Sequence, residues 1–427
     1  MSDRAWKCVP LTELVDINPE SLSNSTPAGS RFRYIDISSV HSGVIDWQTV
    51  LECSFATAPS RARRVVKPND SLFCTVRPSL QAHAYADWKD QDGYVCSTGF
   101  AVLRPSRSDS RFIFHKLFSE ELARQVRQRE VGSSYPAVNE GELGQMFISV
   151  PLTIDEQTLI AEILDTLDEA IREAEAVIAK LRLVKAGLLH DLLTRGIDAH
   201  GLLRDPIRHP DQFQYSLLGL IPKAWEAAFL AVIITEIEAG SSPSCPNHAA
   251  PPGAWGVLKV SAVTHRGFVP SENKVIEDLA LIDEGCEVKI GDLLMTRCNT
   301  PELVGAACLV NATPPHLMLC DKTLRLSVNP ERDDIRFLAH TLGMPSTRRQ
   351  IEISATGSSG SMKNISQKDI RGYRVVRPGF DEQQEIARRV DAFDNRLEAE
   401  QQTLSKLQNL KRGLSHDLLT GRKRVKN

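Results

Sequence analysis

Residues 155–194 read DEQTLIAEILDTLDEAIREAEAVIAKLRLVKAGLLHDLLT, and residues 381–420 read DEQQEIARRVDAFDNRLEAEQQTLSKLQNLKRGLSHDLLT. The two align without a gap and share 17 of 40 positions, so an internal duplication constrains every later step. Each copy spaces apolar residues three and four apart: Ile160, Leu164, Leu167, Ile171, Ala174, Ile178 and Leu181, then Ile386, Val390, Phe393, Leu397, Leu404 and Leu407. A helix with such a stripe must bury it on another helix, and the other copy is the best partner in the chain. The pattern predicts a two-helix coiled coil. After Leu181 and Leu407 the stripe steps by three to Val184 and Leu410 before reaching Leu188 and Leu414, which predicts a change of phase shared by both copies. Glu400 stands where the first copy has Ala174, and a single charge there is expected at a solvated edge.

A chain of 427 residues can build two or three domains with cores of their own. The longest apolar run, residues 227–235, is far too short for a bilayer, and the opening MSDRAWKCV lacks a signal-peptide core, so a cytoplasmic location is expected. Nine cysteines are scattered without a C-x-x-C pair, which favours buried free thiols over a disulfide framework or zinc. The formal charge of −3 lacks the basic excess of a stand-alone DNA-binding domain, so DNA binding would need partners. Local basic clusters at Arg61, Arg63, Arg64 and Lys67, at Arg348 and Arg349, and in the tail Arg422, Lys423, Arg424 and Lys426 read first as solvated faces.

Ahead of the first long helix, FRYIDISSV, GVIDW, SLFCTV and GFAVLRP read as strands between turn signals. Residues 110–129 read as one helix with Phe112, Leu117, Leu122 and Val126 inward, followed by a polar loop at 132–139 and a strand, MFISVP. Residues 195–222 read as an irregular linker that packs along something. From Trp225 the order returns: WGVLKVSAV, EVKIGDLLMTR, LMLCDKTLRLSV, a helix near 335–351, a polar loop at 357–364 and the strand YRVVRP. Trp6 pairs with Trp225, Gly132 with Gly357, and Asn139 with Asn364. The helices keep their identities while the modules keep a skeleton, as if the helices meet a common partner arrangement and the modules meet different targets.

No catalytic constellation emerges. There is no G-x-G turn for a methyl-donor cofactor, Asn18-Pro19 and Asn329-Pro330 do not fit an amino-methylating motif, and no phosphate loop is present. Asp70 with Asp87-Trp88-Lys89 only loosely resembles a nuclease pattern. His190-Asp191 and His416-Asp417 suit capping of helix C-termini better than base catalysis, and Cys245 with His248 is a lone pair.

Asp-Glu-Gln opening a long heptad helix that ends K-x-G-L-x-H-D-L-L-T, twice, each behind a variable module, resembles the specificity subunit of type I restriction-modification enzymes. The linker GIDAHGLLRDPIRHPDQF, the entry IPKAW and the ending LLTGRKRV are also similar to that family, so the resemblance covers essentially the whole chain. It implies an α+β protein: two globular α/β target-recognition domains separated by two long helices in an antiparallel coiled coil, with an internal pseudo-two-fold repeat. The expected domains are 1–151 and 223–378 for recognition, helical regions 152–195 and 379–421, a linker 196–222 and a basic tail 422–427. The resemblance further implies a non-catalytic reader of bipartite double-stranded DNA that docks two methylation subunits, with restriction subunits joining them and no membrane partner. No cofactor is expected on this chain and no metal; the partner subunits would use S-adenosylmethionine, ATP and Mg.

Arg and Lys suit guanine, Asn and Gln suit adenine, and Ser or Thr adapt, so base readers are sought in the recurring loops. The first module offers Ser38, Ser39, His41, Arg77, Ser79, Gln81, Ser133, Ser134, Tyr135 and Asn139. The second offers Lys259, Ser261, Thr264, His265, Arg297, Asn299, Ser358, Ser359, Lys363 and Asn364. Any of these can equally form turns or anchor phosphates. Two rival readings are a coiled-coil scaffold presenting two protein- or DNA-binding modules outside a restriction system, and a cryptic enzyme.

Overall fold

Runs without polar alternation, such as Leu72–Cys74 in the strand Ser71–Cys74 and the first half of Phe100–Pro105, become strands buried on both faces. The computed structural model describes residues 6–425 apart from 42, 90–92, 132–135 and 358–360. Two compact units account for the chain: residues 1–178 with 400–427, and residues 179–399. Each long helix, Ile154–Thr194 and Phe380–Leu419, is therefore shared between the units.

In the first unit, one four-stranded sheet runs Leu51–Ser54, Arg31–Ile35, Tyr94–Ser97, Ala62–Val65, and a second runs Val15–Ile17, Phe100–Pro105, Ser71–Cys74, Ala84–Tyr85. The strand Trp6–Pro10 pairs antiparallel with Phe147–Pro151, the strand that feeds the first long helix. Helical segments Ser110–Lys116 and Glu120–Arg129 replace the single expected helix. The cause is Ser119: its backbone is extended and its hydroxyl accepts from Leu122 N, so it starts a new helix rather than continuing the old one. All four residues expected inward there are buried, and they join Ile160, Leu164, Leu418 and Leu419 of the long helices in one core.

The second unit holds a four-stranded sheet, Ile234–Ala239, Thr323–Val328, Leu293–Thr296, Ala307–Leu309, and a three-stranded one, Asn273–Val275, Gly256–Leu258, Leu317–Met318. Glu226–Phe229 pairs with Arg374–Arg377 just ahead of the second long helix. The helix expected near 335–351 is also two, Ile335–Leu342 and Pro345–Ser354, because Pro345 suits a first turn and has no N–H to continue an older one. The linker is more regular than its composition suggests, with a hairpin of Phe213–Ser216 and Gly219–Pro222. It does pack: Arg204 makes a fork to Glu382 at 2.6 and 3.1 Å, and Ile197 N donates to the same carboxylate.

The stripe is recovered in the burial of the long helices. In the first unit Ile160, Leu164, Ala174 and Ile178 are buried, with Leu167, Ile171, Leu404 and Leu407 half-buried. In the second, Leu181, Ile386 and Val390 are buried, with Phe393 and Leu397 half-buried. Glu400 is half-buried rather than at an open edge. The expected change of phase does not occur: Val184 and Leu410 are 45% and 50% exposed. The inward positions are instead Lys185 and Lys411, four residues after Leu181 and Leu407, so the heptad continues unbroken through a lysine to Leu188 and Leu414. Lys185 reaches Asp394, and Lys411 reaches Asp168.

Candidate nucleic-acid interface

The loop candidates of the first module gather from three segments. Gly43 N donates to His83 O, tying the hairpin Val40–Ile45 to the strand Ala84–Tyr85, and Arg77 N donates to Pro136 O, tying the 77–81 turn to the loop before Asn139. Arg77 and Gln81 flank that turn in left-handed conformations, φ 49° and 51°, which side chains rarely adopt. That turn holds Arg77 and Ser79 outward, with Gln81 half-buried. Ser38 and His41 are exposed, whereas Ser39 is buried and presents no hydroxyl. Asn139 is exposed but occupied: its side chain accepts from Glu142 N at 2.8 Å in a capping box. Ser133, Ser134 and Tyr135 lie outside the described residues.

Beneath these loops His83 is stacked on Phe73 and accepts from Cys74 N at 3.1 Å. Burial pushes its pKa down to about 3, so it is a neutral floor and not a phosphate ligand.

In the second module Cys298 and Asn299 pair with Asn364 and Lys363, which brings four candidates, Arg297, Asn299, Lys363 and Asn364, to one edge. Arg297 and Lys363 are half-buried and Asn364 is exposed, but Asn299 is buried. Lys259 is half-buried; Ser261 donates to Glu272, Thr264 to Gly267 O, and the His265 ring meets Glu302 O. Ser358 and Ser359 lie outside the described residues. Asn364 is not the counterpart of Asn139; the capping box in this module belongs to Ser366.

Four residues of the basic clusters are paired with acids. Arg64 pairs with Glu140, Lys67 with Glu20, Arg348 donates to Val304 O, Lys423 pairs with Asp417 and Arg424 with Glu156; Arg422 is exposed. His190 and His416 are exposed, and their carbonyls accept from Thr194 and Thr420, which close the helix ends.

Sequence reasoning missed a set of side chains that fasten each module to its long helix. In the first unit Gln157 Oε1 accepts from Asp109 N at 2.9 Å, Arg111 forks onto Asp165 at 2.7 Å, and His115 Nε2 lies 2.8 Å from the same carboxylate. Burial pushes the Asp165 carboxyl up, but hydrogen bonds from His115 and Arg111 outweigh it and hold it below its ordinary value. In the second unit Gln383 accepts from Asp334 N at 2.9 Å and Arg336 donates to Asp391 at 2.8 Å. There His340 Nε2 is buried without a partner among the described residues, and burial first, then Lys185, lowers its pKa. The visible signal was R-x-x-x-H in each module against D-x-x-D in each helix, at offsets of 225 and 226.

His115, Asp165 and Asp168 bring potential ligand atoms within 4.8 Å, but Arg111 and Lys411 already occupy the carboxylates, so this is an ion-pair network rather than a metal centre. The second unit has a cleft of about 1480 Å³ whose lining includes Lys185, His265, Arg336, His340 and Asp394, a mixture of both charges. No helix among the described residues is long and apolar enough to cross a membrane.

Residues 5–182 match the family described as the type I restriction modification DNA specificity domain. The EcoEI specificity subunit of Escherichia coli is 31% identical over 191 residues, 43% of this chain and 32% of that protein. The putative MjaX specificity subunit of Methanocaldococcus jannaschii is 25% identical over 334 residues, 76% of this chain and 71% of that one. The chain is thus similar to type I restriction-modification specificity subunits, and residues 5–182 match their DNA specificity domain. Its alignment spans only about a third of the E. coli relative. Solved specificity-family structures share its fold: the S subunit from M. genitalium gives a TM-score of 0.59 at 14% identity, covering 98% of this chain and 97% of that one. A chain from a type I R-M system gives 0.56 at 22% identity, covering 97% of each.

Proposed function

We propose that this chain is the DNA sequence-specificity subunit of a type I restriction-modification complex. Its two modules read the halves of a bipartite duplex site, and its two long helices set their separation and dock two methylation subunits, which restriction subunits join. The chain itself performs no chemistry; S-adenosylmethionine, ATP and Mg belong to its partners. The observation that carries this reading is the match of residues 5–182 to a DNA specificity domain, in a chain whose second half repeats the helix signature. The two long helices form an antiparallel coiled coil with a pseudo-two-fold repeat. Support comes from inside each unit, where the start of one long helix meets the end of the other, through Asp168 and Lys411 or Asp394 and Lys185. A helix of 41 residues is about 60 Å long, enough to separate half-sites by more than one DNA turn of about 34 Å. The near-neutral charge fits a reader whose partners supply much of the phosphate contact. Arg77, Ser79 and Gln81, on their strained turn, and Arg297, Lys363 and Asn364, on their paired edge, are the foremost base readers.

Methylome sequencing of the source cell with and without the gene should reveal one bipartite motif that depends on it. Replacing residues 1–150 by another reader module should change one half of that motif and preserve the other. A change in both halves, or an unchanged motif, would refute the assignment.

A further inference from the structure

The long helices do more than separate the modules. Apolar contact through Ile160 and Leu164 holds the first module to its helix, but such burial is non-directional and leaves rotation and sliding weakly opposed. A directional fastening is needed to define a pose. Arg111 and His115 lie four residues apart on one face of a module helix, and Asp165 and Asp168 lie three apart on one face of the long helix. The guanidinium grips Asp165 with two nitrogens, a planar geometry that fixes orientation as well as distance. Gln157, eight residues earlier on the long helix, makes a second attachment: its amide accepts from Asp109 N and donates to Pro151 O at 3.1 Å. Two attachments about 12 Å apart along the helix block both turning and sliding. Lys411, from the other long helix, ends on Asp168, three residues from Asp165, so the module and the other helix are fastened within one turn of each other.

The second unit repeats the glutamine and the ion pairs, with one nitrogen in place of the fork and without the histidine bond: Gln383 between Asp334 N and Pro378 O, Arg336 on Asp391, and Lys185 on Asp394. Its Arg336 also grips Asp334 at 2.6 Å. These side chains persist where the modules otherwise keep only a skeleton.

We infer that this clasp is a specificity device: Gln157, Arg111, Asp165 and Lys411, and Gln383, Arg336, Asp391 and Lys185, are positioning residues that restrict the spacer of the bipartite site to one length. The inference rests on the proposed reading of DNA by two modules. Adding one base pair moves a half-site by about 3.4 Å and turns it by about 35°. A module free to swing that far would accept the wrong spacer while still reading the right bases. Rejection of that spacer therefore comes from the stiffness of the clasp and not from the base-reading loops.

The test replaces the chromosomal gene in the source cell by Arg111→Ala, by Arg336→Ala, and by the exchange Arg111→Asp with Asp165→Arg, and sequences each methylome. Both single variants should keep the half-site sequences and raise methylation of sites whose spacer is one base pair off by on the order of tenfold. The exchange should restore the single spacer. Variants that methylate only the original spacer, or that alter half-site letters, overturn the inference. If Arg111→Ala fails to accumulate, Asp165→Asn, which keeps shape and removes charge, must give the same relaxed spacer or the inference falls. A wild-type methylome without a bipartite motif would instead sink the reading of function. The clasp is then judged on the purified full chain by amide exchange, which Arg111→Ala must accelerate in residues 110–116 and 154–168 and leave unchanged in 71–74 and 100–105. Equal exchange in both proteins would reject it.

Discussion

The two units use the same fastening side chains but differ in how completely each is satisfied. In the first unit His115 completes the clasp by bonding Asp165, while the indole nitrogen of Trp6 is buried without a partner among the described residues. In the second the pattern is reversed: His340 Nε2 has no partner among the described residues, and Trp225 donates to Glu382 at 3.0 Å. One duplicated framework has thus been finished with different bonds, which teaches that the ion pairs and the glutamine are the essential parts and that the histidine and tryptophan contributions can trade places.

That comparison should break most visibly at the tryptophans. Trp225 is 2% exposed and also shares Glu382 with Arg204 and Ile197 N. Trp225→Ala should cost about 3–5 kcal/mol in denaturant unfolding of the full chain, with Trp6→Ala, already half-buried and unbonded, costing clearly less. Equal losses would mean that the indole bond contributes nothing to the difference.

Acid should separate the units next. His83 in the first module and His340 in the second both have pKa values below that of a free imidazole, so each folded form binds fewer protons than the unfolded chain. Their contribution is present above about pH 6.5 and is lost as pH falls towards the folded pKa. For His83, whose pKa is about 3, the loss between pH 7 and pH 5 is about 2 kcal/mol. A His83→Phe chain should show a shallower decline in stability over that interval, and an unchanged slope would remove His83 as its cause.

The smallest contrast lies in the clasp histidines. His115→Phe should destabilise by about 1–3 kcal/mol, since it strips a bond from a half-buried carboxylate, while His340→Phe should stay within about 0.5 kcal/mol of neutral. Thermal unfolding of the two variants measures the pair; a larger cost at His340 would reverse the account.

The heptad stripe was legible because its period is local, and so were the strands that lack alternation. The helix breaks at Ser119 and Pro345 carry their signals openly, but an apolar face that continues on both sides masks them. Val184 and Leu410 mimic seam positions by their apolarity, although Lys185 and Lys411 occupy the heptad position and half-bury their side chains while their ammonium groups pair. Asp-Glu-Gln was recognisable as a signature, yet its work was not, because Glu156 and Glu382 meet arginines 268 residues later and 178 residues earlier. Among the candidate base readers, the chemistry that suits a groove also suits a turn, so sequence does not separate exposed Ser38 from buried Ser39 or exposed Asn364 from buried Asn299.

The division of the chain into residues 179–399 and the remainder also orders its assembly. The second unit is one continuous segment, and its folding can finish as soon as that segment is free. The first unit's core includes Leu418 and Leu419, so it must hold together through the synthesis of more than two hundred intervening residues before closing. Synthesis proceeds at about 5–20 residues per second, which leaves the earlier module waiting for at least ~10 s. During that interval the module translated first is the last to be completed, and its unfinished apolar face is the one most in need of a chaperone.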